Sequence, residues 1–508
     1  MSGPNCLRCL VRPSTSIPVS VPRARAPLVP IGPISGPIRA ASRPAAFSTT
    51  AAANAGEVQA RPSSRKGEKK LQLGKFKKRD RIAEKGKPPL PGERKAYRKR
   101  ITLSNDNAIP VPWLTDLGPA DLAAPENIAR VMALPEEVQD QLRASEAFKP
   151  TQCWGMFRKP AVLVRKETVE LASRMQEAAA NRQTLRLVVT GDRVAGKSLM
   201  LLQAMTHAFL NGWIVLHFPE AQELTTACTE YAPIPGTEPV QYMQPVYVLK
   251  LIQAFRKANE TVLSKIHTTQ AHPELPHGVP PNASLLTLAN LAKEPDNAWA
   301  VFQALWNELT AKSAKESGRP PILISMDGLA HAMKVSDYRS PSFELIHSHD
   351  LALVRLYANA LGGGVHFPGG GAVLAATSRN NAPRAPSMEL ALAQREAEQR
   401  LRAITATATN NNNHNNNAAP GGAVVQVPQK DPYFRGYDER VEAVLRSVEV
   451  LRVGGLDKLE ARALLEYWAA SGMLRATVNE RTVTEKWALA GHGIIGELER
   501  STLLTMRI

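Results

Sequence analysis

The feature that most constrains this chain is a glycine-rich segment, residues 191–198, with the pattern G-x-x-x-x-G-K-S. It follows a β-branched run, residues 185–190, that predicts a buried strand, and it leads into an apolar stretch, residues 199–205, that predicts a helix. In that context the glycines let successive backbone amides turn inward around phosphate groups. We therefore predict a nucleotide-binding loop formed by Gly191, Asp192, Arg193, Val194, Ala195, Gly196, Lys197, Ser198 and Leu199.

An acidic residue at the end of another apolar run completes the prediction. Residues 322–326 are mostly apolar and lead into Asp327. In phosphate-binding loops of this pattern, the loop hydroxyl and an aspartate from a neighbouring strand hold Mg²⁺. We predict that Ser198 and Asp327 are the metal ligands, and that Lys197 reaches the β- and γ-phosphates. Strands that alternate with helices predict an α/β fold of the P-loop NTPase type, with a parallel sheet at its core.

The residue that follows Asp327 bears on hydrolysis. Many P-loop ATPases place a water-activating glutamate there, but this chain has Gly328. Glu220, which follows an apolar run at residues 213–218, is a candidate substitute. An ordinary loop carboxylate is the alternative interpretation of Glu220. The catalytic residues, and enzyme activity itself, are therefore left open.

A third apolar run, residues 371–376, ends in polar residues where such folds place a sensor of the γ-phosphate. The candidates are Thr377, Ser378 and Arg379. The chain has no Asn-Lys-x-Asp sequence, so the usual guanine-reading motif of small GTPases is absent.

The net charge of +17 is concentrated at one end of the chain. Residues 61–100 hold 17 Lys and Arg against four acids, whereas residues 101–508 are nearly neutral, with 40 Lys and Arg against 41 acids. This distribution excludes a protein that coats nucleic acid with its whole surface. It favours a neutral globular body with a basic arm.

The first 56 residues have the composition of a mitochondrial transit peptide. They contain six Arg and no Asp or Glu, with many Ser, Ala and Pro. We predict that residues 1–56 direct the chain to the mitochondrial matrix, the alternative being a Pro-rich cytosolic tail. Residues 57–104 interleave basic residues with Gly, Pro and the aromatics Phe76 and Tyr97. This arm is predicted to contact RNA, and a solvated linker is the alternative. No apolar run is long enough to predict a membrane span.

Several segments together resemble the death-associated protein 3 family, the GTP-binding proteins of the mitochondrial small ribosomal subunit. The resemblance is carried by residues 191–198, by 211–220 (NGWIVLHFPE), by 242–245 (YMQP) with the predicted helix 248–266, and by 454–468 (GGLDKLEARALLEYW). It implies an additional-strand, AAA-like core and a structural role in the head of the small subunit, near the large-subunit contact. It also implies bound GTP or GDP with Mg²⁺, ATP being the alternative nucleotide. The implied partners are small-subunit rRNA and neighbouring ribosomal proteins.

The predicted organisation has four parts: the transit peptide 1–56, the basic arm 57–104, a nucleotide-binding α/β domain 105–430 and a helical C-terminal domain 431–508. Apolar spacing predicts helices over 441–451, 459–468 and 484–498 in the last part. Two functions compete at this stage. The first is a structural ribosomal protein that binds a purine nucleotide and supports mitochondrial translation. The second is an active matrix NTPase, AAA-like or signal-transducing, that acts on RNA or a protein partner.

Overall fold

A computed structural model describes residues 101–275, 278–311, 318–378, 382–411 and 426–503. The predicted transit peptide, all but the last four residues of the basic arm, and Arg379 lie outside these ranges, so those predictions stay predictions. Within the described ranges, no helix is both long enough and apolar enough to cross a membrane.

A parallel sheet lies at the centre of the described chain. Its five strands have the order β11-β3-β10-β7-β4, and every neighbouring pair is parallel. The predicted α/β fold with a parallel sheet is therefore confirmed. The strands of this sheet are β3 (Thr184–Gly191), β4 (Ile214–Phe218), β7 (Ile322–Asp327), β10 (Gly371–Ala376) and β11 (Glu449–Val453).

The remaining strands form three small antiparallel pairs, β1 with β2, β5 with β6, and β8 with β9. Their bounds are β1 (Val131–Ala133), β2 (Ala161–Leu163), β5 (Ala232–Ile234), β6 (Gln241–Met243), β8 (Val335–Arg339) and β9 (Leu345–His347). The helices, α1 to α15 in chain order, are Glu136–Ala144, Lys166–Ala180, Lys197–Leu210, Ala221–Thr225, Pro245–Ala258, Glu260–Leu263, Leu285–Asn290, Pro295–Thr310, Leu329–Ala332, Ala352–Gly362, Pro386–Asn411, Glu439–Leu445, Lys458–Ala470, Glu480–Leu489 and Ile495–Thr502.

Both faces of the sheet are covered by helices, and each face has its own hydrophobic core. Alternate residues of one strand enter different cores: Leu187 and Val189 pack with α1, α2 and α3, whereas Val188 packs on the opposite face with α5, α8 and α10. Strands β4, β7 and β10 are buried along their whole length. Sheets covered on both faces favour such continuous apolar runs, which explains why these strands stood out in the sequence.

The C-terminal segment differs from its prediction. Apolar spacing over 441–451 predicted one helix, but α12 ends at Leu445 and residues 449–453 form β11, an edge strand beside β3. The predicted helix 484–498 is likewise divided into α14 and α15. Short apolar runs fit both helical and strand periods, and here pairing with β3 selects the strand. Helices α13, α14 and α15 then pack around a third core that includes Leu465 and Leu498.

Candidate functional site

The glycine-rich loop, residues 191–198, connects the end of β3 to the start of α3. Its backbone uses conformations that favour glycine: φ is +144° at Gly191 and +98° at Gly196, the residue that caps α3. A Cβ at Gly191 would lie 2.2 Å from the carbonyl oxygen of Val453, in the edge strand. The first glycine is therefore required both by its dihedral angle and by its close packing against β11.

Lys197 is buried at the start of α3, with 7% of the residue exposed. Its ammonium donates hydrogen bonds to the carbonyl oxygens of Gly191, at 3.2 Å, and Asp192, at 2.5 Å. The ammonium thus lies inside the curve of the loop, next to the helix N-terminus. A buried cation and the positive end of a helix at one place form a site for an anion.

The predicted metal ligands are in contact. Ser198 Oγ donates a hydrogen bond of 2.8 Å to Asp327 Oδ2, although the two residues are 129 positions apart. Strand β10 lies between β3 and β7, and the first turn of α3 bridges that gap. Asp327 is itself buried, with 7% exposed. The structure therefore brings together the hydroxyl and the carboxylate that the sequence predicted as a pair.

These two oxygen donors suit magnesium. Among the described residues there is no cluster of three or more His, Cys, Asp or Glu side chains that could form an all-protein metal cage. Magnesium at nucleotide sites does not need such a cage, because one or two protein oxygens act together with phosphates and water. The Ser198 hydroxyl and the Asp327 carboxylate match that donor set.

Lys149 joins the site and was not predicted from the sequence. Its ammonium lies 3.2 Å from Asp327 Oδ2, and it also donates to the Pro219 carbonyl and lies 3.9 Å from Glu220 Oε1. Lys149 follows α1 in a Phe-Lys-Pro sequence that belongs to no motif. Only the folded chain brings this lysine to the ends of β4 and β7.

Glu220, the candidate for water activation, lies two residues after the end of β4, and its carboxylate lies 3.9 Å from the ammonium of the lysine that also contacts Asp327. Its side chain is 41% exposed. Gly328, where a catalytic glutamate was missing, has φ of +78° and caps the short helix α9. A side chain at position 328 would be strained, so the local backbone accounts for the glycine.

Two of the three predicted phosphate sensors, Thr377 and Ser378, lie within the described residues. The Thr377 amide and hydroxyl both donate to the carbonyl oxygen of Val189, at 3.0 and 3.3 Å, which holds the end of β10 against β3. Thr377 and Ser378 line the same cavity as Lys197 and Ser198. Arg379 lies outside the described residues, so its predicted role stays a prediction.

Two further contacts hold the glycine-rich loop from its outer side. Arg165 is 4% exposed, and its guanidinium donates to the carbonyl oxygens of Ala195, at 3.0 Å, and Gly454, at 2.9 Å. The Gly496 amide at the start of α15 donates to the Val194 carbonyl at 3.1 Å. Both residues were missed, because neither carries a sequence signal that links it to the loop.

A cavity of about 530 Å³ adjoins the loop and is lined by the loop and by the C-terminal helices α13 and α15. One wall is formed by residues 193–200, and the others carry the aromatic residues Trp154, Phe157, Tyr467 and Trp468. Polar groups also reach the cavity, among them Arg193, Glu499 and Arg500. The volume and the mixture of aromatic and polar walls are typical of small-molecule sites.

A buried histidine lies in β4, one of the strands that lead to the site. His217, in β4, lies 2.8 Å from Ser325 Oγ of β7 through its Nδ1. Burial, together with repulsion from Lys149, lowers the pKa of His217 to about 3. This imidazole is therefore neutral at physiological pH, and its contact with Ser325 links β4 to β7.

Comparison with known proteins identifies the family. Residues 162–501 match the family described as mitochondrial ribosomal death-associated protein 3. The chain belongs to this family. It is 55% identical, over 509 residues and 100% of both chains, to the small ribosomal subunit protein mS29 of Neurospora crassa. The predicted family resemblance is confirmed, as is the predicted location in the mitochondrial ribosome of the matrix.

Two mammalian members of the family match shorter stretches. The small ribosomal subunit protein mS29 of Mus musculus is 26% identical over 117 residues, 23% of this chain and 29% of that protein. The protein of the same name from Bos taurus is 27% identical over 111 residues, 22% of this chain and 28% of that protein. The family range contains Ser198, Asp327 and Glu499, whereas Lys149 precedes it.

Proposed function

We propose that the protein is a structural component of the small subunit of the mitochondrial ribosome, and that it holds a purine nucleotide with Mg²⁺ at the glycine-rich loop. The full-length similarity to a small ribosomal subunit protein supports the first part. The contact of 2.8 Å between Ser198 and Asp327, at the mouth of a loop that already contains Lys197, carries the second. Each of these three side chains has one role: Lys197 binds phosphates, and Ser198 and Asp327 hold the metal.

The sheet supports assignment to the additional-strand division of P-loop NTPases. In that division another strand lies between the strand that leads into the loop and the strand that ends in the metal-binding aspartate. Here β10 lies between β3 and β7, and it ends at the candidate sensors Thr377 and Ser378. The three strand ends thus present loop, sensor and aspartate along one edge of the sheet.

The cavity beside the loop is the proposed place for the purine base and ribose. Its aromatic walls, which include Trp154 and Trp468, suit a planar base. Glu499 is the one carboxylate among the described residues that line it. An ionised carboxylate accepts from the N1–H and N2–H₂ donors of guanine, whereas adenine offers an acceptor at N1. The charge of Glu499 therefore favours GTP or GDP over ATP.

The bound nucleotide is proposed to stabilise the fold, and turnover is not required for that role. A ligand at 100 times its Kd stabilises the folded state by about 2.7 kcal/mol. The nucleotide would join the loop to α15, because the cavity is lined by both. Gly328 in place of a catalytic glutamate agrees with slow or absent hydrolysis. The alternative, an active matrix NTPase, would need Glu220 as its base.

Ribosomal contacts are proposed for the remaining surfaces. The basic arm, residues 57–104, would lie along phosphates of the small-subunit rRNA, and its binding would weaken as salt is raised. The folded body would contact neighbouring proteins in the head of the small subunit, near the large subunit. Support for translation would follow from this scaffolding role.

The proposal is tested by nucleotide binding to the purified full-length chain. We expect a fluorescent GDP analogue with Mg²⁺ to bind the wild-type chain, and Lys197→Ala to weaken binding at least about tenfold, which is about 1.4 kcal/mol. The control Lys293→Ala removes an exposed lysine and should change nothing. Wild-type protein that binds neither GDP nor ADP would overturn the nucleotide site. Phosphate release abolished by both Lys197→Ala and Glu220→Gln would favour the active NTPase.

The same assay tests the base assignment. Glu499→Gln should weaken GDP binding about tenfold, because the amide cannot accept hydrogen bonds from both guanine donors. The preference for GDP over ADP should become smaller. Xanthosine diphosphate, which has a carbonyl at C2, should gain affinity for this variant. Glu485→Gln is the matched control, since Glu485 is exposed on α14 and does not line the cavity. Equal losses for GDP and ADP in Glu499→Gln would contradict a base-reading role.

A further inference from the structure

We propose that Lys149 is a built-in cation that competes with Mg²⁺ for Asp327 and sets how strongly nucleotide binding depends on the metal. This inference rests on the proposed nucleotide site and assigns a regulatory residue to it. Lys149 lies outside the residues matched by the family and outside every sequence motif. Lys149 would therefore give the site a property that the residues of the glycine-rich loop do not provide.

The competition follows from one oxygen atom. Asp327 Oδ2 accepts the Ser198 hydroxyl at 2.8 Å and pairs with the Lys149 ammonium at 3.2 Å. The side chains of Lys149 and Asp327 are only 15% and 10% exposed. Water therefore screens this pair less than it screens a surface ion pair. The ammonium thus places a positive charge beside the same carboxylate oxygen that the Ser198 hydroxyl contacts.

Lys149 is held at its backbone and has other partners for its ammonium. Its amide donates to Gln152 Oε1 at 2.8 Å, which fixes the main chain of the segment. Its ammonium also donates to the Pro219 carbonyl and lies 3.9 Å from Glu220 Oε1. A short rotation of the flexible side chain toward Glu220 would release Asp327 without leaving the lysine charge unpaired. The site thus contains both the competing cation and a place for it to move.

Lys149 is expected to affect nucleotide binding in opposite directions with and without Mg²⁺. Mg²⁺ approaches its oxygen ligands to about 2.0–2.1 Å, and an ammonium that lies 3.2 Å from an oxygen of the same carboxylate repels it, so Lys149 lowers the apparent affinity for the metal. Without Mg²⁺, the same ammonium offsets part of the negative charge that Asp327 would present to the phosphates. Lys149 therefore supports binding of the metal-free nucleotide. Both effects reduce the difference between binding with Mg²⁺ and binding in EDTA.

The test measures the Kd of GDP for the full-length chain in Mg²⁺ and in EDTA. We expect the ratio of the EDTA value to the Mg²⁺ value to rise at least tenfold in Lys149→Met, from weaker binding in EDTA and tighter binding in Mg²⁺. Lys149→Arg, which keeps the charge, should retain a ratio close to wild type. Lys250→Met is the matched control, because Lys250 also bridges two carboxylates, Glu146 at 3.0 Å and Glu223 at 3.4 Å, away from Asp327.

The outcomes separate this inference from the proposal on which it rests. An unchanged ratio in Lys149→Met, or equal weakening in both conditions, overturns the competition and leaves the nucleotide site intact. A wild-type chain that binds no nucleotide in either condition overturns the nucleotide site itself. Thermal unfolding of each variant checks folding. If the Met variant does not fold, Lys149→Gln, which keeps a polar tip without the charge, provides the same comparison.

Discussion

Two buried carboxylates in this molecule have opposite characters. Glu308 in α8 is 2% exposed and accepts hydrogen bonds from the amides of Thr269 and Gln270, the Thr269 hydroxyl, the His272 ring and the Arg319 guanidinium. Asp327 in β7 is 7% exposed and contacts the Ser198 hydroxyl and the Lys149 ammonium. The donors to Glu308 come from two parts of the chain, residues 269–272 and Arg319, whereas the two side-chain partners of Asp327 each line a cavity.

The difference shows how burial alone fails to identify a functional carboxylate. Burial by itself would raise the pKa of Glu308, but hydrogen bonds from the amides of Thr269 and Gln270, the Thr269 hydroxyl and the His272 ring together lower that pKa. Fixed backbone donors cannot be exchanged for a ligand, so Glu308 holds loop 267–272 to the end of α8. Side-chain partners can move, and those of Asp327 are a serine and a flexible lysine. Exchangeable partners distinguish a binding carboxylate from a structural one.

The largest effect is expected from neutralising Glu308. Glu308→Gln leaves the Arg319 guanidinium, whose Nη2 lies 2.9 Å from the carboxylate, buried without its counter-ion. Breaking one side of a buried ion pair costs about 3–5 kcal/mol of unfolding free energy. Urea unfolding measures this loss. Glu274→Gln is the matched control, because Glu274 is an exposed partner of His272 and should cost little. A small loss for Glu308→Gln would remove the contrast with Asp327.

Asp327→Asn is expected to affect binding more than stability. A hydrogen bond to a charged group contributes about 1.5–3 kcal/mol, so removing the carboxylate charge should raise the Kd of the Mg²⁺–nucleotide about 10- to 100-fold. Its unfolding free energy should change less than that of Glu308→Gln, since Lys149 retains Pro219 and Glu220 as partners. Calorimetric titration and urea unfolding on the same sample measure both quantities. A stability loss as large as that of Glu308→Gln would make Asp327 structural.

Acid should destabilise the region around His217, beside the site, and the region around Glu308 at different pH values. The unfolded chain protonates His217 near pH 6.5, but burial lowers its pKa in the folded state to about 3, so stability falls as pH drops from about 6.5 toward 3. Glu308 has a lowered pKa and contributes stability that is lost only below about pH 4.5. Between pH 6.5 and 5, protonation of His217 in the unfolded chain alone lowers the free energy of unfolding by about 2 kcal/mol.

Urea unfolding at pH 7.5 and pH 5.0 measures that acid effect. His217→Gln should reduce the loss of stability between the two pH values, because it removes the group that the unfolded chain protonates. His366→Gln, a substitution at an exposed position, should leave the loss unchanged. His207 and His349 also have pKa values lowered by burial, to about 4, so part of the loss should remain in the His217 variant. An unchanged loss in His217→Gln would contradict the assignment.

Local patterns in the sequence were sufficient to predict the glycine-rich loop and the strand before it. The glycines, Lys197 and Ser198 lie within eight residues, and their conformational requirements are properties of the residues themselves. Asp327 was also predicted, because an apolar run that ends in an acid is a local pattern. The parallel sheet followed from short, mostly apolar runs that alternate with predicted helices.

Other features depend on contacts between distant parts of the chain, and only the tertiary structure decided them. Strand β11 is a short run with a pattern that also fits a helix, and its pairing with β3 appears only when residues 449–453 meet residues 187–191. Lys149 reaches Asp327 across 178 positions, and Gly496 reaches Val194 across 302. A lysine or a glycine carries no local signal for such contacts, because the ion pair or hydrogen bond exists only after folding brings the two residues together.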